Sequence, residues 1–161
     1  MGQVYSASFA GVTVLSDATG IQDLFQLIPP ADAIVVIHSI TIGQESDAGD
    51  SEAEMLRVNI SRTDLSVNGS GGSTLTPRPH EVGFAAAGSV VEANNDTLST
   101  VQTILQALTF NVQAGLFYQP TPEERIVLSA GIGAGLVVNL PVAPADALIM
   151  SGVIVFEEIG G

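Results

Sequence analysis

The chain has 161 residues, with seventeen acids against four arginines, no lysine, no cysteine and a formal net charge of −13. Charged residues make up 13% and hydrophobic ones 46%, whereas an ordinary soluble domain carries about 25% charged residues, so part of the surface is expected to lie in a subunit interface. These counts exclude Schiff-base chemistry, the phosphate-binding lysine of a P-loop, disulfides and sulfur-ligated metal, and they oppose nucleic-acid binding, which needs cations on phosphate. Length predicts one domain, 1–161. The start, Met1-Gly-Gln-Val-Tyr5, has neither a basic n-region nor a long apolar run, so no secretion signal is expected. Ala147–Phe156, the longest uncharged apolar run, falls well short of the roughly 20 residues of a membrane-spanning helix. No membrane partner is expected.

Period-two alternation dominates from the N-terminus onward. Tyr5, Ala7 and Phe9 hold odd positions and Val12 and Val14 even ones, so the apolar face changes parity near Gly11, which predicts a β-bulge there. Asp23–Ile28 and Ala33–Gly43 read as further strands. Ser51 and Glu54 have capping-box spacing and allow one helical turn. In Met55–Arg62, apolar Leu56, Val58 and Ile60 alternate with polar Arg57, Asn59 and Ser61. The stretch 68–80, rich in Gly, Ser and Pro, reads as a flexible surface loop. Ser89–Ala93 is a strand. Residues 98–112 fit either a helix, through Leu98, Val101, Leu105 and Leu108, or a strand, through Ile104, Leu108, Phe110 and Val112; the threonines and Phe110-Asn-Val112 favour the strand. Leu116–Tyr118, Arg125–Leu128, Leu136–Leu140 and Ala147–Glu158 complete about ten strands. Pro30-Ala-Asp-Ala33 and Pro144-Ala-Asp-Ala147 each lead into a long apolar strand and suggest equivalent corners of a two-sheet structure. The expected fold is all-β, an antiparallel β-sandwich with the strand number of a jelly roll.

No residue pattern announces catalysis, metal or cofactor. His38 shares a strand parity with Ile34, Val36, Ile40 and Ile42, which predicts a neutral histidine bonded within the core or at a subunit contact; His80, between Pro79 and Glu81, is expected to be solvated. Two isolated histidines do not make the cluster a cupin metal site needs. No Gly-x-Ser-x-Gly elbow occurs. Glu123-Glu124 and Glu157-Glu158 are adjacent residues, which a strand turns to opposite faces, so neither pair can share a substrate. The acidic stretch 45–54 carries five carboxylates but lacks EF-hand spacing and reads as a solvated loop. Gly131-Ile-Gly133-Ala-Gly135 reads as a turn. Each of Arg57, Arg62, Arg78 and Arg125 is expected to find a carboxylate among so many acids. Interface candidates are Phe117 and Tyr118, aromatic and followed by Gln119-Pro-Thr-Pro122, with Arg78, Arg125 and His38. Core packing is the competing role for the aromatics.

The stretches Gly43-Gln-Glu-Ser-Asp-Ala-Gly-Asp50, Pro120-Thr-Pro-Glu-Glu-Arg125, Pro144-Ala-Asp-Ala147 and Phe156-Glu-Glu158 resemble small β-sandwich structural proteins of tailed bacteriophages and prophages. That resemblance implies a non-enzymatic capsid cement (decoration) protein: a homotrimer on the exterior of the virion, assembled in the host cytoplasm, that binds the major capsid protein and stabilises contacts between capsomers. It carries no functional residues over. The alternative is a carbohydrate- or receptor-binding jelly-roll module of a phage tail.

Overall fold

The computed structural model describes residues 2–17, 20–45, 54–64, 68–131 and 133–160. Twelve strands run β1 Gln3–Val14, β2 Gln22–Ile28, β3 Ala33–Gln44, β4 Met55–Thr63, β5 Ser73–Leu75, β6 Arg78–Pro79, β7 Val90–Ala93, β8 Gln102–Asn111, β9 Leu116–Tyr118, β10 Val127–Leu128, β11 Gly135–Leu140 and β12 Leu148–Gly160. They form two antiparallel sheets packed face to face, an all-β sandwich. Sheet A has the order β10-β3-β12-β1-β6, with β9 also on β3; sheet B has the order β5-β7-β2-β11-β4-β8. The long strands β1 to β4 alternate between the sheets, as do β8 to β12 if β9 and β10 are taken as one interrupted strand. Strands β5 to β7 are an insertion that extends the edge beside β2 and β1.

Alternation in the sequence becomes the inner face of each sheet. Tyr5, Ala7, Phe9, Val35, Ile37, Ile154 and Phe156 from sheet A meet Phe25, Leu27, Leu56, Val58, Ile60, Leu136 and Val138 from sheet B. Each fully buried aliphatic or aromatic side chain contributes roughly 1.5–3 kcal/mol. The aromatic part of this core is a stack of Tyr5 on Phe156, ring centroids 5.8 Å apart, and a tilted Phe9–Phe25 contact at 5.0 Å. The expected bulge is present: Phe9 faces Gly152 and Val12 faces Met150, so β1 holds one extra residue, with Gly11 at φ +69°. A non-glycine residue seldom adopts that dihedral.

Residues 98–112 contain the strand rather than the helix. The stretch 68–80, expected to be flexible, instead holds β5 and β6, and Ser70 bridges Thr97. Pro30–Ala33 and Pro144–Ala147 both carry the chain from sheet B to sheet A. They sit at opposite ends, because Ala33 at the start of β3 pairs with Gly160 at the end of β12. The capping-box position Ser51 lies outside the described residues, as does most of the acidic stretch 45–54.

The centre of sheet B is buried on both faces: every residue of β11, and all but Ile28 in β2, is buried. Its outer face is covered by a polar clamp. The Asp23 carboxylate accepts hydrogen bonds from the Ser99 N–H at 2.8 Å, Asn139 Nδ2 at 3.1 Å and Gln102 Nε2 at 3.5 Å, while the Asp23 and Asn95 backbones bond each other in both directions at 3.0 Å. Gln26 Oε1 accepts from the Gly69 N–H and from Asn95 Nδ2, and the Thr63 and Ser99 hydroxyls meet. These bonds fix the connections around residues 68–72 and 94–102 over the sheet.

Candidate functional site

Among the described residues no comparable clamp spreads over the outer face of sheet A, which His80, Glu81 and Phe84 border beside Val4 and Glu157. Cross-strand register lays it out in rows: Ile34 beside Ile159; Val127, Val36, Glu157 and Val4; Ser39, Val155, Ser6 and Arg78; Phe117, Thr41, Val153 and Ser8; and Ile149 beside Thr13. Of the twelve large hydrophobic residues exposed to solvent among the described residues, Ile34, Phe117, Val127, Ile149 and Ile159 belong to these rows, with Phe117 at 65% and Val127 at 54% exposure. Valines 36, 153 and 155 fill the gaps between them as half-buried residues. Of the chain's seventeen acids, these rows carry Glu157 alone. A sheet face this apolar, on a molecule this acidic, is suited to contact with another protein.

His38 stands on this outer face and not with Ile40 and Ile42, which are buried in the core. The parity argument fails because β3 has a bulge: Val155 faces Ser39 and Phe156 faces Ile37, leaving His38 as the extra residue. Its Nε2 lies 3.0 Å from Glu157 Oε2. Phe117 and Tyr118 separate as neighbours on a strand must. Phe117 points outward, whereas Tyr118 packs half-buried against the core, where burial, reinforced by the Glu124 charge, pushes its phenol pKa up. Arg78 shares the outer face of sheet A with Ser6.

The arginines depart from expectation. Among the described residues none of the four has a carboxylate within 4.0 Å; the side chain that does is His38, beside Glu157. Arg125 lines a cleft between the two sheets with Arg62, Leu105, Gln106, Glu124, Ile126 and Val127, and its Nε is buried with no hydrogen-bond partner. Sequence reasoning missed the meeting of Arg62 and Arg125 in one cleft, because their separation along the chain hides a proximity created where the two sheets pack.

A cavity of about 390 Å³ at one end of the sandwich is lined by Gln3, Tyr5, Asp32, Gly88 and Glu158 among others. Glu158, turned inward while Glu157 faces out, accepts hydrogen bonds from the Ser89 N–H at 2.7 Å and the Gly88 N–H at 3.1 Å. The Tyr5 hydroxyl bonds Gln3 and the Ala85 carbonyl. Burial, and secondarily the Glu158 charge, raises the Tyr5 pKa. The carboxylate is thus occupied in holding the 85–89 segment. Among the described residues, no three His, Asp or Glu side chains converge as metal ligands.

Comparison with known proteins finds no match among family models, curated proteins or solved structures.

Proposed function

We propose that this chain is a non-enzymatic structural subunit of a tailed-phage head, a homotrimer that sits on the outside of the shell as a cement protein. The outer face of sheet A would rest on the major capsid protein. The observation that carries the assembly part is that face: valine, isoleucine and phenylalanine interleaved with serine and threonine, with a single carboxylate, on a chain of net charge −13. The assignment to a phage shell rests on the resemblance of the four sequence stretches. Charge supports an exterior position, since three copies carry three times −13, or −39, and would be repelled by packaged DNA.

The strand order supports a jelly-roll description. Taking β9 and β10 as one strand and leaving out the β5–β7 insertion, sheet A runs first, eighth, third, sixth, and sheet B second, seventh, fourth, fifth. That is the order of eight strands wound as two Greek keys. Against the tail-module alternative, Tyr5 is 1% exposed and Tyr118 is half-buried, so neither tyrosine offers a flat platform for a sugar ring.

Light scattering should give three chains per particle at micromolar concentration, and the protein should co-sediment with phage heads that lack it. Replacing Phe117 and Val153 together by Asp should weaken head binding by at least about tenfold, since each buries a charge in an apolar contact, while the particle in solution stays trimeric. Unimpaired head binding by that variant would remove sheet A from the contact.

A further inference from the structure

Among the described residues, strand β8 ends sheet B on one side, with no strand beyond it. It is ten residues long and has no charge, proline or glycine. A long edge presents a row of unpaired N–H and C=O groups, which proteins ordinarily guard with lysine, proline or an inward charge. The one irregularity in β8 is a bulge at Leu105, between the pairs Ile60–Gln106 and Ser61–Ile104. Three of the four arginines lie along this edge on different faces: Arg57 opposite Thr109 on the outer face, Arg62 opposite Thr103 on the face of Leu56, Val58 and Ile60, and Arg125 across the cleft from Leu105 and Gln106. Of the carboxylates on this side, Glu124 accepts from the Thr121 hydroxyl and Glu54 from the Ala145 N–H, while Asp64 borders a cleft with Arg62 and Thr103. An arginine with a buried, unbonded Nε, such as Arg125, is costly to leave unsatisfied. Apolar Val101, Ile104 and Val127, each about half exposed, border the same edge.

The opposite lateral edge, where β5 and β6 end the two sheets, differs in charge. Glu81 follows β6, which carries Arg78; Asp96 lies against Gly71 ahead of β5; and Glu92 stands one strand in, on β7, where it accepts from Asn95 Nδ2. Contact between two unlike edges is heterologous, and a heterologous contact closes into a ring when its rotation permits.

We propose that the β8 edge, with Arg57, Arg62 and Arg125, receives the carboxylate-bearing β5–β6 edge of a second copy of this chain, head to tail. Sheet B then continues from one copy to the next, and arginines without partners in the single subunit gain them in the ring. This rests on the self-association proposed above and names the surfaces that produce it.

Sedimentation of four proteins tests it: the wild type, Arg57→Glu/Arg62→Glu, Glu81→Arg/Asp96→Arg, and the variant with all four changes. The four side chains are exposed, so unchanged thermal melting is expected to show that each variant folds. Each two-site reversal should weaken association at least about a hundredfold, and the four-site swap should restore it to within about tenfold of wild type. Amides of Gln102–Asn111 should exchange more slowly in the wild-type oligomer than in the dissociated two-site variants. If the wild type assembles and Arg57→Glu/Arg62→Glu assembles equally well, the edge contact is wrong while self-association stands. Failure of the four-site swap to restore assembly also overturns the pairing of these two edges. A wild type that remains monomeric would remove the underlying proposal as well.

Discussion

Asp23 is fully buried, yet it is an acid in the middle of a sheet. Three donors converge on its carboxylate, but loss of water outweighs them, and the pKa rises above the ordinary 3.8. The sign of the consequence follows from linkage. A folded state that holds the proton more tightly than the unfolded chain draws stability from it in full below pH 3.8, and loses that contribution as pH rises through the folded-state pKa. Asp23→Asn should therefore flatten this part of the pH profile. Urea midpoints of the wild type relative to Asp23→Asn should fall as pH rises above 3.8; parallel profiles would show that the site does not titrate differently on folding. Asp23→Ala should destabilise by about 1–3 kcal/mol at any pH, because it strands the Ser99 N–H and the Asn139 amide without an acceptor. The carboxylate earns its place by anchoring the covering segment.

At the scale of a strand, Gly152 shows how closely the sheets approach. A Cβ there would lie 2.7 Å from Phe9 Cε1 and 2.9 Å from Phe25 Cε2, one ring from each sheet. Gly152→Ala must push the tilted Phe9–Phe25 pair apart and should cost about 1–3 kcal/mol, measurable by chemical denaturation; a neutral result would mean that the rings have room to move. The long strands were legible because alternation is a local signal with one answer for each face. Bulges were legible only where glycine marked them. The one at Gly11 was, whereas the one in β3 contains no glycine and silently moved His38 from the core side to the outside. Strands β5 and β6 gave no signal, since two or three residues carry no periodicity and their pairing with β7 and β1 depends on partners far along the chain. The apolar outer face of sheet A was foreshadowed by composition, but its location was not. Ile34, Val36, Val153 and Val155 look in sequence like ordinary members of hydrophobic strands buried on both sides.

For the whole molecule, the sequence supplied the net charge but misled about its arrangement. Among seventeen acids each arginine was expected to find a partner, yet among the described residues no arginine has a carboxylate within 4.0 Å, and the contact of that length is between His38 and Glu157. The carboxylates are engaged instead by backbone N–H groups and hydroxyls, as Glu158, Glu54 and Glu124 show. Bonds of that kind satisfy a carboxylate locally but leave its charge uncompensated, so the long-range field of the folded subunit is repulsive toward itself. Salt should then stabilise the isolated subunit, because shortening the screening length from about 10 Å at 0.1 M to about 3 Å at 1 M removes more repulsion than attraction. For the dissociated Arg57→Glu/Arg62→Glu variant, raising sodium chloride from about 0.05 M to about 0.5 M should add about 1 kcal/mol, read from urea midpoints. Chloride is the appropriate anion, since sulfate would add its own general stabilisation. In the proposed ring the same salt should act in the opposite direction on the edge contact, by screening arginine from carboxylate. Wild-type assembly should therefore weaken over a range in which the subunit itself grows more stable, a combination that a purely apolar interface would not give.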